Sequence, residues 1–145
     1  MTKNPITVTP EQTIEETAEI LMKHKISGAP VVDDMGRLVG VITQNDLFRV
    51  LVSLTGIKRK GIQFACQVAD TPGSIKELTD FIRKYSGRIA SILTSYERGE
   101  EGPLNVYIRA YHLNKEVLEE VKRELRDKSL LMYVIDYDRQ KREIY

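Results

Sequence analysis

Residues 57–61, Ile-Lys-Arg-Lys-Gly, interrupt the chain between a run of apolar residues and an alternating one, and all seven tyrosines lie beyond the break, from Tyr85 to Tyr145. One continuous core would have to mix these two textures. The break therefore divides the 145 residues into two small units rather than one ordinary domain. The apolar fraction of 41% is that of a globular protein, and a net charge of +1 supplies no global field for nucleic acid. The lone Cys66, in the strand-like "QFACQV", cannot pair internally and reads as a buried small hydrophobe in a reducing cytoplasm. The N-terminus lacks an apolar signal region, and no apolar run approaches the roughly 18 residues needed to span a bilayer. A cytoplasmic protein with neither a membrane nor a nucleic-acid partner is expected.

The first unit, 1–56, reads strand, helix, strand, strand, helix. "PITV" is a short strand. Thr9 is the expected N-cap of a helix, with Pro10 at its first position, Gln12 completing a capping box and Gly28 stopping it. Ile14, Ala18, Leu21 and Met22 share one face of that helix. "APVVD" and "RLVGVIT" are strands joined by an Asp-Gly turn, and a second helix from Gln44 carries Leu47, Phe48, Val50, Leu51 and Leu54 inward. Residues 57–61 read as a solvated linker. The second unit, 62–138, begins with the alternating "IQFACQVAD" and continues as βαββαβ, an antiparallel sheet with both helices on one face. The tail 139–145 is polar and expected to fray.

The first unit resembles a CBS motif: "MTKNPITVTPEQTIEETAEILMKHKISGAPVVD" and "GRLVGVITQNDL" carry the M-T-x-x-P start, the G-x-P-V-V-D-like strand and G-V-I-T-x-x-D. The second resembles an ACT domain through the D-x-P-G turn of "VADTPGSIKELTDFI". The expected fold is thus α+β, a single CBS motif (β-α-β-β-α) followed by a ferredoxin-like ACT domain, an order similar to that of the acetoin-utilisation regulatory proteins. CBS motifs normally occur in tandem. A single one implies either two chains pairing as a homodimer or a C-terminal piece of a longer tandem-CBS protein.

Spacing alone makes Thr43 and Asp46 a capping box at the start of the second helix. The CBS resemblance adds a ligand: Asp46 holds the ribose and Thr43 the ribose or phosphate of an adenine nucleotide (AMP, ATP) or S-adenosylmethionine. By the same resemblance Ile6 and Ile26 sandwich the purine, and Ser27, Gly28 and Pro30 face the base edge. His24, Lys25 and Arg49 are cations near the expected mouth, each equally readable as a solvated helix residue. In the second unit the ACT resemblance implies an amino-acid or small-metabolite site at Asp70, Gly73, Ser74 and Ile75, where a turn and cap would explain the same residues. His24 and His112 lack metal-site spacing, and no nucleophile elbow, phosphate loop or CxxC is present. The expectation is a regulatory sensor rather than an enzyme, without metal or catalytic cofactor; the competing reading is a ligand-free oligomerisation module.

Overall fold

Two capping boxes compete for the first helix, Thr9-Pro-Glu-Gln12 and Thr13-Ile-Glu-Glu16. In the computed structural model, which describes residues 5–97, 99 and 102–145, the second box wins. Helix α1 spans Ile14–His24; Glu16 N–H donates to Thr13 Oγ1 (3.2 Å) and Thr13 N–H to Glu16 Oε2 (2.8 Å). The Thr17 hydroxyl adds a bond to Thr13 O (2.8 Å). The first box closes only a turn, with Thr9 N–H donating to Gln12 Oε1 (2.8 Å). At the other end Lys25, in the left-handed region at φ 53°, caps the helix, and Gly28 instead opens a strand. Residues 1–4 of the Met-Thr-x-x-Pro start and residues 98, 100 and 101 lie outside the described residues.

The chain divides into two compact units, Met1–Val52 and Ser53–Tyr145. In the first, β1 (Gly28–Val32) pairs antiparallel with β2 (Leu38–Thr43), which runs directly into α2 (Gln44–Leu54). The expected "PITV" strand shrinks to a parallel bridge between Val8 and Val31, fixed by Val8 N–H to Pro30 O (3.0 Å) and Val32 N–H to Val8 O (2.9 Å). Val8, Leu21 and Ala29 form the core, with Ile26, Ile42 and Leu47 against it. The inward placement expected of several apolar residues fails. Phe48 is 59% exposed and Leu51 55%, while Met22, Leu38, Val41 and Leu54 are also open. Two strands and α1 supply a layer for one side only, so the remaining apolar face has nothing of its own unit to pack on.

The second unit contains β3 (Ile62–Val68), α3 (Ser74–Lys84), β4 (Arg88–Tyr96), β5 (Leu104–Tyr111), α4 (Leu118–Lys128), β6 (Leu130–Asp136) and β7 (Lys141–Ile144). Its antiparallel sheet has the order β4-β5-β3-β6-β7. Alternate residues Ile62, Phe64, Cys66 and Val68 of the central strand meet Leu78 and Ile82 of α3 and Leu118, Val121 and Leu125 of α4 in one core. Burial pushes the Cys66 thiol up to about 11, which leaves it inert. Among the described residues no helix is long and apolar enough to cross a membrane.

Two polar segments are tied to this sheet. Residues 57–60 are exposed but ordered: Ile57–Arg59 form a 3-10 turn, Arg59 lies 5.0 Å over the Tyr111 ring, and Tyr137 N–H donates to Gly61 O (2.9 Å). Gly61, at φ +72°, approaches β5 so closely that a Cβ would meet Ala110 O at 2.2 Å. The tail does not fray, because Lys141–Ile144 pairs with β6 and seats Glu143 beside a buried cation.

That cation is Lys122 of α4, 1% exposed in its side chain, donating to Glu119 (2.6 Å) and Glu143 (2.7 Å). Bonds from Lys122, Lys141 and Tyr145 hold the Glu143 carboxyl down to about 2. A depressed carboxyl contributes stability that is complete above its ordinary value near 4.5 and lost as pH falls toward about 2. Glu143→Gln should therefore destabilise the chain by about 2 kcal/mol near neutrality. In urea unfolding the gap between wild type and variant should close as the pH falls through that window; a gap constant with pH would contradict the assignment.

Candidate functional site

The junction between β2 and α2 places a hydroxyl and a carboxylate in one small region. Thr43 ends the strand and Asp46 sits in the first turn of the helix. Thr43 N–H (2.9 Å) and Thr43 Oγ1–H (2.6 Å) both donate to Asp46 Oδ2, and Asp46 N–H donates back to Thr43 Oγ1 (3.3 Å). The cap is thus made in full. These bonds from Thr43, side chain first and backbone second, hold the Asp46 carboxyl below the usual carboxylate range, and Arg49 adds to the effect.

A carboxylate offers about four lone-pair positions, and the cap uses those of one oxygen. Among the described residues Asp46 Oδ1 has one long contact, with Arg49 Nη1 at 3.5 Å. Since the Asp46 side chain is 41% exposed, this second oxygen can accept from hydroxyls arriving from solvent. Cap and hydroxyl acceptor are therefore compatible roles for one side chain.

The segment 26–30 lies against this junction. Gln44 N–H donates to Ser27 O (2.9 Å) and Gln44 Nε2 to Ile26 O (3.3 Å), so the first residue of α2 holds the chain that enters β1. Gln44 was not singled out from the sequence, where one amide among polar residues carries no pattern. Gly28 stands opposite Thr43 in the register, and a Cβ there would meet Ile42 O at 2.9 Å. Its role is close approach between strands, not the end of a helix. Pro30 pairs with Val41 and bonds Val8 through its carbonyl. Ile26 packs on the small core, whereas Ile6, ahead of the Val8 bridge, is 37% exposed. Of the three candidate cations, Arg49 reaches Asp46, while His24 and Lys25 are exposed at the C-terminal end of α1.

In the second unit Asp70, Gly73, Ser74 and Ile75 come together around an open cleft of about 430 Å³ that Thr71, Pro72 and Leu104 also line. Asp70 Oδ2 accepts from the Tyr96 hydroxyl (2.6 Å), and the Thr71 and Ser74 hydroxyls share a bond of 2.8 Å. Gly73 takes φ 98° at the N-cap of α3 with no side-chain cap bond. Tyr96 is a contact that the D-x-P-G signature cannot reveal, since it comes from the far end of β4.

Comparison with known proteins finds a CBS domain at residues 1–53. The chain is 48% identical over 44 residues to inosine-5'-monophosphate dehydrogenase of Aquifex aeolicus, covering 30% of this chain and 9% of that protein. It is 45% identical over 51 residues to L-aspartate semialdehyde sulfurtransferase of Methanocaldococcus jannaschii, covering 35% and 10%. It is 31% identical over 86 residues to the chloroplastic CBS domain-containing protein CBSX2 of Arabidopsis thaliana, covering 59% and 36%. In each case the chain spans well under two thirds of the relative's length.

The capping geometry makes its own prediction. Thr43→Val removes the hydroxyl at constant shape and should cost about 1–2 kcal/mol in urea unfolding followed by circular dichroism, whereas Thr43→Ser should lie near wild type. Equal stability of the valine and serine variants would contradict the cap.

Proposed function

We propose that the chain is a regulatory sensor of small molecules, whose CBS unit binds an adenine nucleotide or related adenosyl compound at the β2–α2 junction. CBS domains generally serve as regulatory sensors of adenosyl ligands, and residues 1–53 match that domain. The observation that carries the reading is the half-used carboxylate of Asp46: one oxygen is bound into the cap, and the other has a 3.5 Å contact with Arg49 on a side chain that is 41% exposed. In this reading Asp46 Oδ1 accepts from the ribose hydroxyls and Thr43 lies beside the ribose or phosphate. Ile6 and Ile26 flank the purine, and Ser27, Gly28 and Pro30 meet its edge.

The second unit, whose helices and strands run βαββαβ before the added edge strand β7, is in this proposal a ferredoxin-like ACT domain that dimerises and takes an amino acid or small metabolite at Asp70, Gly73, Ser74 and Ile75. The protein is a homodimer in which paired CBS units cover the apolar residues of β2 and α2. A ligand preferring one arrangement of the pair would shift it by the difference in its affinities for the two. Those exposed apolar residues also favour a second reading, a ligand-free oligomerisation module or a piece of a longer tandem-CBS protein.

Calorimetry of the full chain with AMP, ATP and S-adenosylmethionine distinguishes these. A binder should also gain roughly 2.7 kcal/mol of stability at a hundredfold excess over its dissociation constant. Asp46→Asn retains an oxygen acceptor for the Thr43 cap and loses the charge, so it should weaken binding by about tenfold or more while the protein stays folded. Unchanged affinity in that variant would remove Asp46 from the site, and no binding of any of the three compounds would favour the oligomerisation module.

A further inference from the structure

The face of the second unit's sheet turned away from α3 and α4 holds a buried cation that no acid neutralises among the described residues. Arg109 of β5 is 4% exposed. Its Nε–H donates to Thr55 O (2.9 Å), Nη2 to Gln63 Oε1 (2.8 Å) and Nη1 to Lys60 O (3.4 Å), and its plane lies 4.3 Å over the Tyr137 ring. Every one of these partners is neutral. They satisfy three N–H groups but leave a full positive charge in a poorly hydrated place, with further donors on Nη1 and Nη2.

Arg109 borders a half-open cavity of about 240 Å³ walled by Ile57, Leu93, Tyr107 and Tyr137, with Gln63 bonded to the guanidinium and Ser91 sharing the Thr55 carbonyl with it. This is roughly the space of eight water molecules, the size of a branched five-carbon acid. Arg109 is the sole charged group in the lining, which contains no Asp or Glu. A carboxylate meets a fork-shaped donor there, whereas an ammonium would meet the like charge of Arg109 with no carboxylate to offset it.

We infer that this cavity binds a small monocarboxylate without an α-ammonium group, a 2-oxo or 2-hydroxy acid with a short apolar tail, its carboxylate on Arg109. Ile57 and Leu93 receive the tail, and the Tyr107 hydroxyl, which accepts from Ser95, has its proton for the 2-oxygen, whereas the Ser91 hydroxyl donates to Thr55 O and the Tyr137 hydroxyl to Gln63 Oε1. The site is separate from the Asp70–Ile75 turn and independent of the nucleotide reading. Because the same guanidinium holds the carbonyls of Thr55 and Lys60, the bound acid and the docked 55–61 segment stabilise one another.

Nuclear magnetic resonance of the full chain tests this through the Arg109 Nε–H signal and the amides of Thr55, Ile57 and Tyr137. The probes are 2-oxoisovalerate, 2-hydroxyisovalerate, L-valine and inorganic phosphate. Saturable shifts are expected with the first two acids, and affinity lower by about tenfold or more with L-valine and with phosphate. Leu93→Trp or Ile57→Trp, each filling the cavity from a different wall at a partly exposed position, should abolish the response to 2-oxoisovalerate while the Arg109 Nε–H signal of the free protein persists. No shift with any probe, equal affinity for L-valine or phosphate, or unchanged binding in both filled variants would overturn the assignment.

Discussion

A two-stranded sheet backed by one helix can bury one of its faces, and this limit governs the first unit. Val8, Leu21 and Ala29 use up the side that α1 covers. Leu38, Val39 and Val41 of β2 and Phe48, Leu51 and Leu54 of α2 remain more than half exposed. Burial of a residue such as Leu or Phe contributes about 1.5–3 kcal/mol, so leaving several open in a unit this small sacrifices a large part of its available stability. Covering that face is the simplest way to recover it, and in the proposed homodimer a second copy does so. The second unit faces no such limit, because α3 and α4 close a continuous core over β3, β5 and β6.

The same economy appears at the β2–α2 junction, where the residues that end the strand also start the helix. Thr43 and Asp46 satisfy each other's backbone donors through one carboxylate oxygen and one hydroxyl. Fixing the side chains in this way pre-orients the second carboxylate oxygen, so its ordering cost is met during folding rather than on binding. Gln44 extends the arrangement to the chain ahead of β1. Structural and ligand-binding readings of these residues are therefore two uses of a single geometry.

How much of this was legible in the sequence depended on the range of the interaction. Alternation in "IQFACQV" and helical spacing in "SIKELTDFI" report local burial, and the elements they predict are the ones found. A change of composition near residue 57 pointed to two units, which the structure divides between Val52 and Ser53, but the contacts of 57–61 were not visible, because they rest on Arg109 and Tyr111, some fifty residues away. The tail was read as frayed for the same reason: Glu143 gains its partner Lys122 only once β7 lies along β6. Two adjacent capping boxes could not be ranked by pattern alone, and Thr13 prevailed over Thr9 by making both halves of its box. At the candidate site, the Thr43–Asp46 pair was readable from its spacing, whereas Gln44 and Tyr96 act across the fold and left no local signature.

Hydrogen exchange measured across a dilution series, with sedimentation run on the same samples, addresses the uncovered face directly. The account predicts that amides of Leu38–Thr43 and Gln44–Leu54 gain protection in step with the appearance of a dimer, while those of β3 and β5 are protected alike at every concentration. A monomer at all concentrations whose β2 and α2 amides are already as protected as the second unit's core would contradict it.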